Sequence, residues 1–263
     1  MRKYLLLARA TLKTYLAYRV NFIMWRIRSM LTLVMLYFLW SQAVVGKSEI
    51  AGYAPAEIYT YIFLANFLNA TVLSSRVDQL AGDILNGTII NHLLKPFSIF
   101  SLIGTREVVD KMVNILFSIA EIALFISIFR PPLAFPADPI AVLGFLAFLL
   151  LALVLSFYVS FALSMLAFWT AEVWAPRFIF LILISMLAGS LFPLDLFPPV
   201  LYNVMLLTPF PYMVYVPAKI FVDGITPQVL DFAIFGLGWL GLVASLAHMS
   251  WLRGMKEFSF FGR

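Results

Sequence analysis

The apolar residues of this sequence fall into blocks close to 20 residues long, separated by charges, prolines and glycines. A helix needs about 20 apolar residues to cross the roughly 30 Å hydrocarbon layer of a bilayer, whereas blocks of about 10 to 14 mark buried helices of soluble domains. Apolar runs bounded by charge or Pro/Gly lie at 28–46, 56–75, 111–129, 140–166, 177–194 and 229–251. Composition agrees: 63% of the 263 residues are hydrophobic and 12% charged, against about 45–50% and about 25% in soluble domains. The expectation is an all-α integral membrane protein, a single transmembrane domain over 1–263 with six transmembrane helices.

Six crossings put both termini on one side, and the cations divide accordingly. Seven lie in the N-terminal segment and the edge of the first helix (Arg2, Lys3, Arg9, Lys13, Arg19, Arg26, Arg28). Four lie in the loop 76–111 (Arg76, Lys95, Arg106, Lys111), one at 167–177 (Arg177) and three in the tail (Arg253, Lys256, Arg263). Only Lys47, Arg130 and Lys219 fall on the other side. The positive-inside bias then places the termini and the 76–111 loop in the cytoplasm. The net charge of +5 is accounted for by topology, so no nucleic-acid partner is expected.

Two segments depart from plain spans. Residues 194–227 are too apolar for an ordinary loop and are broken by Pro198, Pro199, Pro209, Pro211 and Pro217. A seventh crossing there would carry the tail cations outside, so the expectation is an external re-entrant hairpin between helices 5 and 6, its broken backbone buried against protein. In residues 1–20, Arg2, Arg9 and Lys13 fall within about 40° of one another at 100° per residue, with Tyr4, Leu7, Leu12, Tyr15 and Tyr18 around the rest. That pattern fits an amphipathic helix lying along the membrane surface, the other reading being an extension of the first span. Its charge is spread along the segment instead of preceding an apolar core, so it is expected to be retained, not cleaved as a signal.

Chemistry-bearing motifs are scarce. Cysteine is absent, which removes disulfides, thiolate metal sites and cysteine nucleophiles. Gly46-Lys47-Ser48 echoes the tail of a phosphate-binding loop, but Ser41 stands where a glycine is needed and the tripeptide falls in an external loop. His92 and His248 are the two histidines, with no HExxH pattern, and Ser190 after Gly189 lacks the GxSxG frame. Asn69-Ala-Thr71 and Asn86-Gly-Thr88 match the glycosylation pattern, one inside a span and the other in the cytoplasm, and are read as chance. No enzyme, bound cofactor or metal site is expected in this chain.

The loop 76–111 is the informative region. It carries Gly82-Asp83-Ile84-Leu85-Asn86-Gly87-Thr88-Ile89-Ile90-Asn91-His92-Leu93-Leu94-Lys95-Pro96: a glycine turn, a short apolar helix, then a cation and a proline that stop it. This segment resembles the G-x-x-x-x-L-L-(K/R)-P signature in the first cytoplasmic loop of the type 2 family of ABC exporter permeases, in particular its compact six-helix branch. Gly189-Ser190-Leu191-Phe192-Pro193-Leu194-Asp195-Leu196-Phe197-Pro198 resembles the G-x-x-F/Y-P-x-x-x-x-P stretch that precedes that family's external hairpin. The basic amphipathic N-terminus is a third shared feature, and the three occur in matching order along nearly the whole chain.

The resemblance implies a coupling helix at Gly87, Thr88, Ile89, Ile90, His92, Leu93, Leu94, Lys95 and Pro96, docking on a cytosolic ATP-binding cassette ATPase. It further implies that ATP and Mg are bound by that ATPase, and that a second permease subunit, identical or homologous, completes the membrane unit in a bacterial inner membrane. Gly189, Phe192, Pro193, Asp195 and Pro198 would form the root of the external hairpin. A short apolar turn ending at Lys95 also suits a partner's groove on physical grounds, the alternative being a turn packed on headgroups or on its own bundle.

Glu121 is the acidic residue nearest the middle of a span, where a charge costs on the order of 3 kcal/mol unless paired, protonated or hydrated. It lines the translocation path, contacts another subunit, or is a protonated acid bonded within the bundle. Arg106 with Asp110 and Glu107 with Lys111 form opposite-charge pairs at i,i+4, read either as stiffening for the helix entering the third span or as a solvated helix end. Trp25, Tyr37, Trp40, Trp169, Trp174 and Trp251 lie near span boundaries, as an interfacial belt does. The functional expectation is an exporter permease that moves an amphipathic or hydrophobic solute by alternating access. The alternative is a stand-alone secondary transporter or channel, for which matched broken helices in two halves would be the signature.

Overall fold

A computed structural model describes residues 2–95 and 97–258, so Pro96 and Arg263 lie outside the described residues. The helices are α1 Arg2–Ala17, α2 Arg19–Val44, α3 Pro55–Thr71, α4 Gln79–Leu85, α5 Ile90–Leu93, α6 Ile99–Phe129, α7 Pro139–Met165, α8 Trp174–Leu187, α9 Pro199–Leu206, α10 Tyr215–Asp223 and α11 Gln228–Glu257. No strand occurs among the described residues. Each expected span has a helix beneath it. Four helical stretches are long and apolar enough to cross a membrane: Arg19–Val44, Ile99–Phe129, Pro139–Phe168 and Gln228–Glu257. Their outward faces carry Leu31, Met35, Leu116, Leu143, Leu150 and Leu237. A helix that stays apolar on its exposed side has hydrocarbon for a neighbour, not water, and the chain is a membrane protein.

Local signals set the helix ends. Pro55 and Pro139 occupy first turns, where the missing N–H costs nothing. The Glu57 carboxylate accepts from the Ala54 N–H at 2.8 Å, and the Asp138 carboxylate accepts from the Ile140 N–H at 2.8 Å. α6 stops at Arg130, whose φ of 47° and ψ of 50° are left-handed, just before Pro131 and Pro132. α1 and α2 are separated by a break at Tyr18 (φ −106°, ψ 37°), so α1 is a helix in its own right, packed along α6.

α3 sits at the centre. It is buried on most of its surface, through Ile58, Tyr61, Ile62, Ala65 and Leu68 together with the polar Thr60, Asn66 and Thr71, as a helix enclosed by others is. It packs on α2, α6 and α10. The helices form two packing groups, α1, α2, α3 and α6 in one and α7, α10 and α11 in the other, joined through α3 against α10 and through α4 against α7. The segment 194–227 folds as α9 and α10 linked by a 3-10 turn at Pro211–Met213, each too short to cross a bilayer alone. Tyr212, Met213, Val214, Tyr215 and Val216 at that link are almost completely buried. α8 is loosely held: Ile184 is its buried residue, the Phe180 ring meets Phe210 at 5.5 Å, and Arg177 pairs with Asp78 at 2.8 Å.

Candidate functional site

α4 and α5 form a small hairpin at one end of the bundle. Leu80, Ala81, Ile84 and Ile89 point into a core shared with Leu102, Phe161, Met165 and Phe168, which fixes the hairpin against α6 and α7. Asp83 tightens it from within: its Oδ1 accepts from the Thr88 hydroxyl at 2.9 Å, its Oδ2 lies 2.9 Å from His92 Nε2, and its carbonyl accepts from the Ile89 N–H at 2.9 Å. Gly87 turns the chain at a φ of 70°.

The segment Gly87 to Lys95 therefore does not present one uniform apolar face. Ile89 is 0% exposed and serves as the anchor, Ile90, His92 and Leu93 are half-buried, and Leu94 is 79% exposed beside Lys95. Leu85, Asn86, Thr88 and Asn91 complete the outward side.

Behind the hairpin, the connection 72–76 is bonded to one face of α6. Glu107, Asp110, Lys111, Asn114 and Ser118 are all buried, and with Glu121 they recur at three- and four-residue steps, so they share a stripe running about 21 Å along the helix. Lys111 Nζ donates to the carbonyls of Val72, at 2.8 Å, and Ser74, and pairs with Glu107 at 3.1 Å. Glu107 Oε2 accepts from the Arg76 N–H at 3.0 Å.

Asp110 accepts from Arg76 Nε at 2.7 Å, from Ser74 Oγ at 3.1 Å, from Asn114 Nδ2 at 2.9 Å and from the Tyr15 hydroxyl. Arg76 also reaches Thr14 Oγ1 at 3.0 Å and lies 4.1 Å from the centre of the Tyr15 ring. Burial opposes its charge, but Tyr15 and Asp110 outweigh burial and hold the guanidinium above its ordinary pKa. Burial and the Asp110 carboxylate push the Tyr15 phenol up, so it stays a donor.

At the far end of the stripe, Glu121 is bonded within the bundle. Arg26 of α2 grips it with both arms, Nε to Oε1 and Nη2 to Oε2 at 2.5 Å each, and the two side chains are 11% and 16% exposed. The remaining donors reach Asn114 Oδ1 at 3.1 Å and Ser118 Oγ at 3.0 Å. The charge is tolerated in an apolar bundle because its partner is bidentate and itself satisfied.

The root of the 194–227 segment lies at the opposite end. Gly189 has a φ of 75°, and a Cβ there would sit 2.7 Å from Tyr61 Oη and 2.9 Å from Tyr215 Cβ, so glycine is required twice over. The Tyr61 hydroxyl donates to the Gly189 carbonyl at 2.6 Å, and the Trp40 indole N–H donates to the Leu191 carbonyl at 3.1 Å. Phe192 meets Phe197 edge-on at 5.2 Å, while Pro193 and Pro198 precede the turn Leu194–Leu196 and α9.

Asp195 caps no helix. Its Oδ2 accepts from Lys219 Nζ at 2.6 Å and from the Tyr53 hydroxyl at 2.7 Å, and Lys219 also pairs with Asp223 at 2.7 Å. Burial opposes the Lys219 charge, yet hydrogen bonds to Asp195 and Asp223 hold its ammonium above the ordinary pKa. These groups border a cleft of about 420 Å³ together with Ala51, Gly52, Glu57 and Val222.

Of the residues singled out in the sequence, Gly87 to Lys95 thus come together at one end, Gly189 to Pro198 at the other, and Glu121 between. Glu107 and Lys111 pair as their spacing suggests, whereas Asp110 turns to Arg76 and Tyr15 instead of Arg106, and the face of α6 that carries Glu107, Asp110 and Lys111 is buried, not solvated. Arg26, Arg76, Tyr53 and Lys219 were not singled out as site residues. The repeat of polar residues at 107, 110, 111, 114, 118 and 121 was a signal for a buried partner facing α6. Nothing local pointed to Arg26, which reads as one more flanking cation.

Hydrocarbon-facing helices with a rigid projection at one end and a buried polar stripe leading from it define a helical membrane protein. Residues 29–262 match the family model described as ABC-2 family transporter protein. The chain belongs to that family and is a membrane permease component of an ABC transporter, a class that works in association with an ATPase subunit. Comparison with curated proteins returned no match.

Proposed function

We propose that this chain is the six-crossing permease subunit of an ABC exporter, with its α4–α5 end in the cytoplasm and docked on a separate ATPase that binds ATP and Mg. α2, α3, α6, α7, α8 and α11 are the crossings, α1 lies at the cytoplasmic interface, and α9 with α10 forms the re-entrant hairpin at the external face. Two such subunits, identical or homologous, enclose a path for an amphipathic or hydrophobic solute in a bacterial inner membrane. The chain itself holds no nucleotide and catalyses no reaction.

The observation that carries this reading is the exposed Leu94 beside Lys95 on a hairpin that Leu80, Ala81, Ile84 and Ile89 anchor in the core. An apolar residue this exposed on a braced turn gains from burial in a partner's groove. The hairpin is also joined through 72–76 to the stripe on α6, which suits transmission of a push. The cation distribution supports the cytoplasmic assignment of this end.

The test is co-purification with the cognate ATPase after Leu94→Asp, alone and with Leu93→Asp. Leu94 is exposed, so the fold is retained, and loss of the ATPase with an unchanged elution profile is the expected result. Retention of the ATPase would remove the docking assignment. Movement of solute by the purified chain without nucleotide would favour a secondary transporter or channel instead.

A further inference from the structure

Arg26 spends all three of its guanidinium nitrogens on α6, reaching four oxygens of Asn114, Ser118 and Glu121. Neutralising Glu121 would need only one of these bonds. The ring contacts between α2 and α6 are edge-on or tilted: Phe22 with Phe117 at 4.8 Å, Tyr37 with Phe125 at 5.1 Å and with Phe129 at 5.6 Å, and Phe38 with Phe129 at 5.8 Å. Ring contacts depend weakly on register and let helices slide. A bidentate fork backed by two further acceptors does not, because a shift of one helix along the other breaks directional bonds in a medium that cannot replace them. The fork therefore locks α2 to α6 both along and around their axes.

At its other end the same face of α6 holds the connection 72–76 through Lys111, Glu107 and Asp110, and holds α1 through Tyr15. Among the described residues no ion pair joins α6 to α7, α10 or α11. We propose that Arg26 is the positioning residue that fixes α2 directly to α6, beside the packing of α3 on both, so that displacement of the α4–α5 hairpin moves α1, α2, α3 and α6 as one body against α7, α10 and α11. This rests on the exporter reading and adds to it the identity of the moving body.

The chain has no cysteine, so paired labels can be introduced without background. Met35, Leu124 and Leu237 are exposed positions on α2, α6 and α11. Spin labels at Met35→Cys with Leu124→Cys report α2 against α6, and Leu124→Cys with Leu237→Cys reports α6 against α11. The sample is the ATPase-bound complex in lipid nanodiscs, with labelled chain diluted by unlabelled chain, measured without nucleotide and after trapping with ATP and vanadate.

In the unsubstituted background the α6–α11 distance shifts on trapping and the α2–α6 distance does not. With Arg26→Gln the α6–α11 shift persists and the α2–α6 distance now shifts as well, and Arg26→Glu combined with Glu121→Arg suppresses that second shift. Arg26→Lys keeps the charge, removes the fork, and broadens the α2–α6 distribution if Arg26→Gln fails to fold.

A moving α2–α6 distance in the unsubstituted complex, an immobile α6–α11 distance, or Arg26 variants that behave like the parent would each overturn the assignment. Any of these with the ATPase still bound removes only the role of Arg26. Absence of the ATPase from the unsubstituted complex removes the exporter reading and this inference with it.

Discussion

Replacing Arg26 with Met isolates what the buried fork contributes to stability. Glu121 then loses its only charged partner among the described residues at 16% exposure, too little solvent to hydrate a carboxylate. Stranding one member of a buried pair costs about 3–5 kcal/mol, and an unpaired acid at the middle of a span costs about 3 kcal/mol on insertion scales; the expected loss is therefore about 3 kcal/mol or more. Glu121→Leu strands the guanidinium, but Asn114 and Ser118 still accept from it at 3.1 and 3.0 Å, which puts that variant toward the lower end of the same range. The double variant Arg26→Met/Glu121→Leu leaves no charge behind, and apolar replacement of a whole buried pair is often close to neutral. It should lose less than either single variant. Unfolding in mixed micelles, monitored by tryptophan fluorescence across a denaturing-detergent titration, gives the four free energies of the cycle. Additive losses would show that the two side chains do not share the environment described, and the account of the fork would be wrong. The double variant also separates strength from transmission: it folds, yet by the inference above its α2 no longer follows α6.

Other consequences are more local. Gly254→Ala places a Cβ 2.1 Å from Phe168 Cδ2, and since that ring is packed against Trp169, Trp251 and Phe258, a loss of about 1–3 kcal/mol is expected in the same titration. Arg130→Gly relieves a left-handed residue at the end of α6 and should raise stability by about 1 kcal/mol; a loss would mean that the Arg130 side chain outweighs the backbone strain. Because the Lys219 ammonium is held above its ordinary pKa, the ion pairs to Asp195 and Asp223 are fully present below the ordinary lysine value and are lost as pH rises through the higher folded value. Lys219→Met should therefore differ from the parent in melting temperature through neutral pH and converge with it only in strong alkali.

The helices were legible in the sequence because hydrocarbon imposes length and apolarity together, and the runs at 28–46, 111–129, 140–166 and 229–251 each coincide, within two residues, with part of a helix long enough to cross. The extent of α6 was less legible: its first turns carry Arg106, Glu107, Asp110 and Lys111, which interrupt an apolar run although the helix continues through them. Charge marks the end of hydrocarbon exposure, not the end of a helix. The coupling segment was legible as a turn with a stop. Its inner and outer sides were not, since Ile89 and Leu94 are equally apolar and only the core beneath α4 selects which is buried. The Arg26–Glu121 fork joins residues 95 apart in sequence. Glu121 announces that it needs a partner, but sequence periodicity along one helix carries no information about which cation on another will supply it. Asp195 is a similar case, because Lys219 and Tyr53 reach it from separate elements.

α8 is 14 residues long, about 21 Å of helix against roughly 30 Å of hydrocarbon. In the six-crossing topology proposed above it leaves a deficit of about 9 Å that the surrounding lipid would absorb, at a fraction of a kcal/mol per Å. In that topology lipid beside a bare α8 would be compressed, and a conformational change that tilts or sheathes this helix would alter how much compression remains. Acyl-chain length becomes a control on the transporter in its own right: short chains favour whichever state leaves α8 bare, and long chains favour the state that shields it.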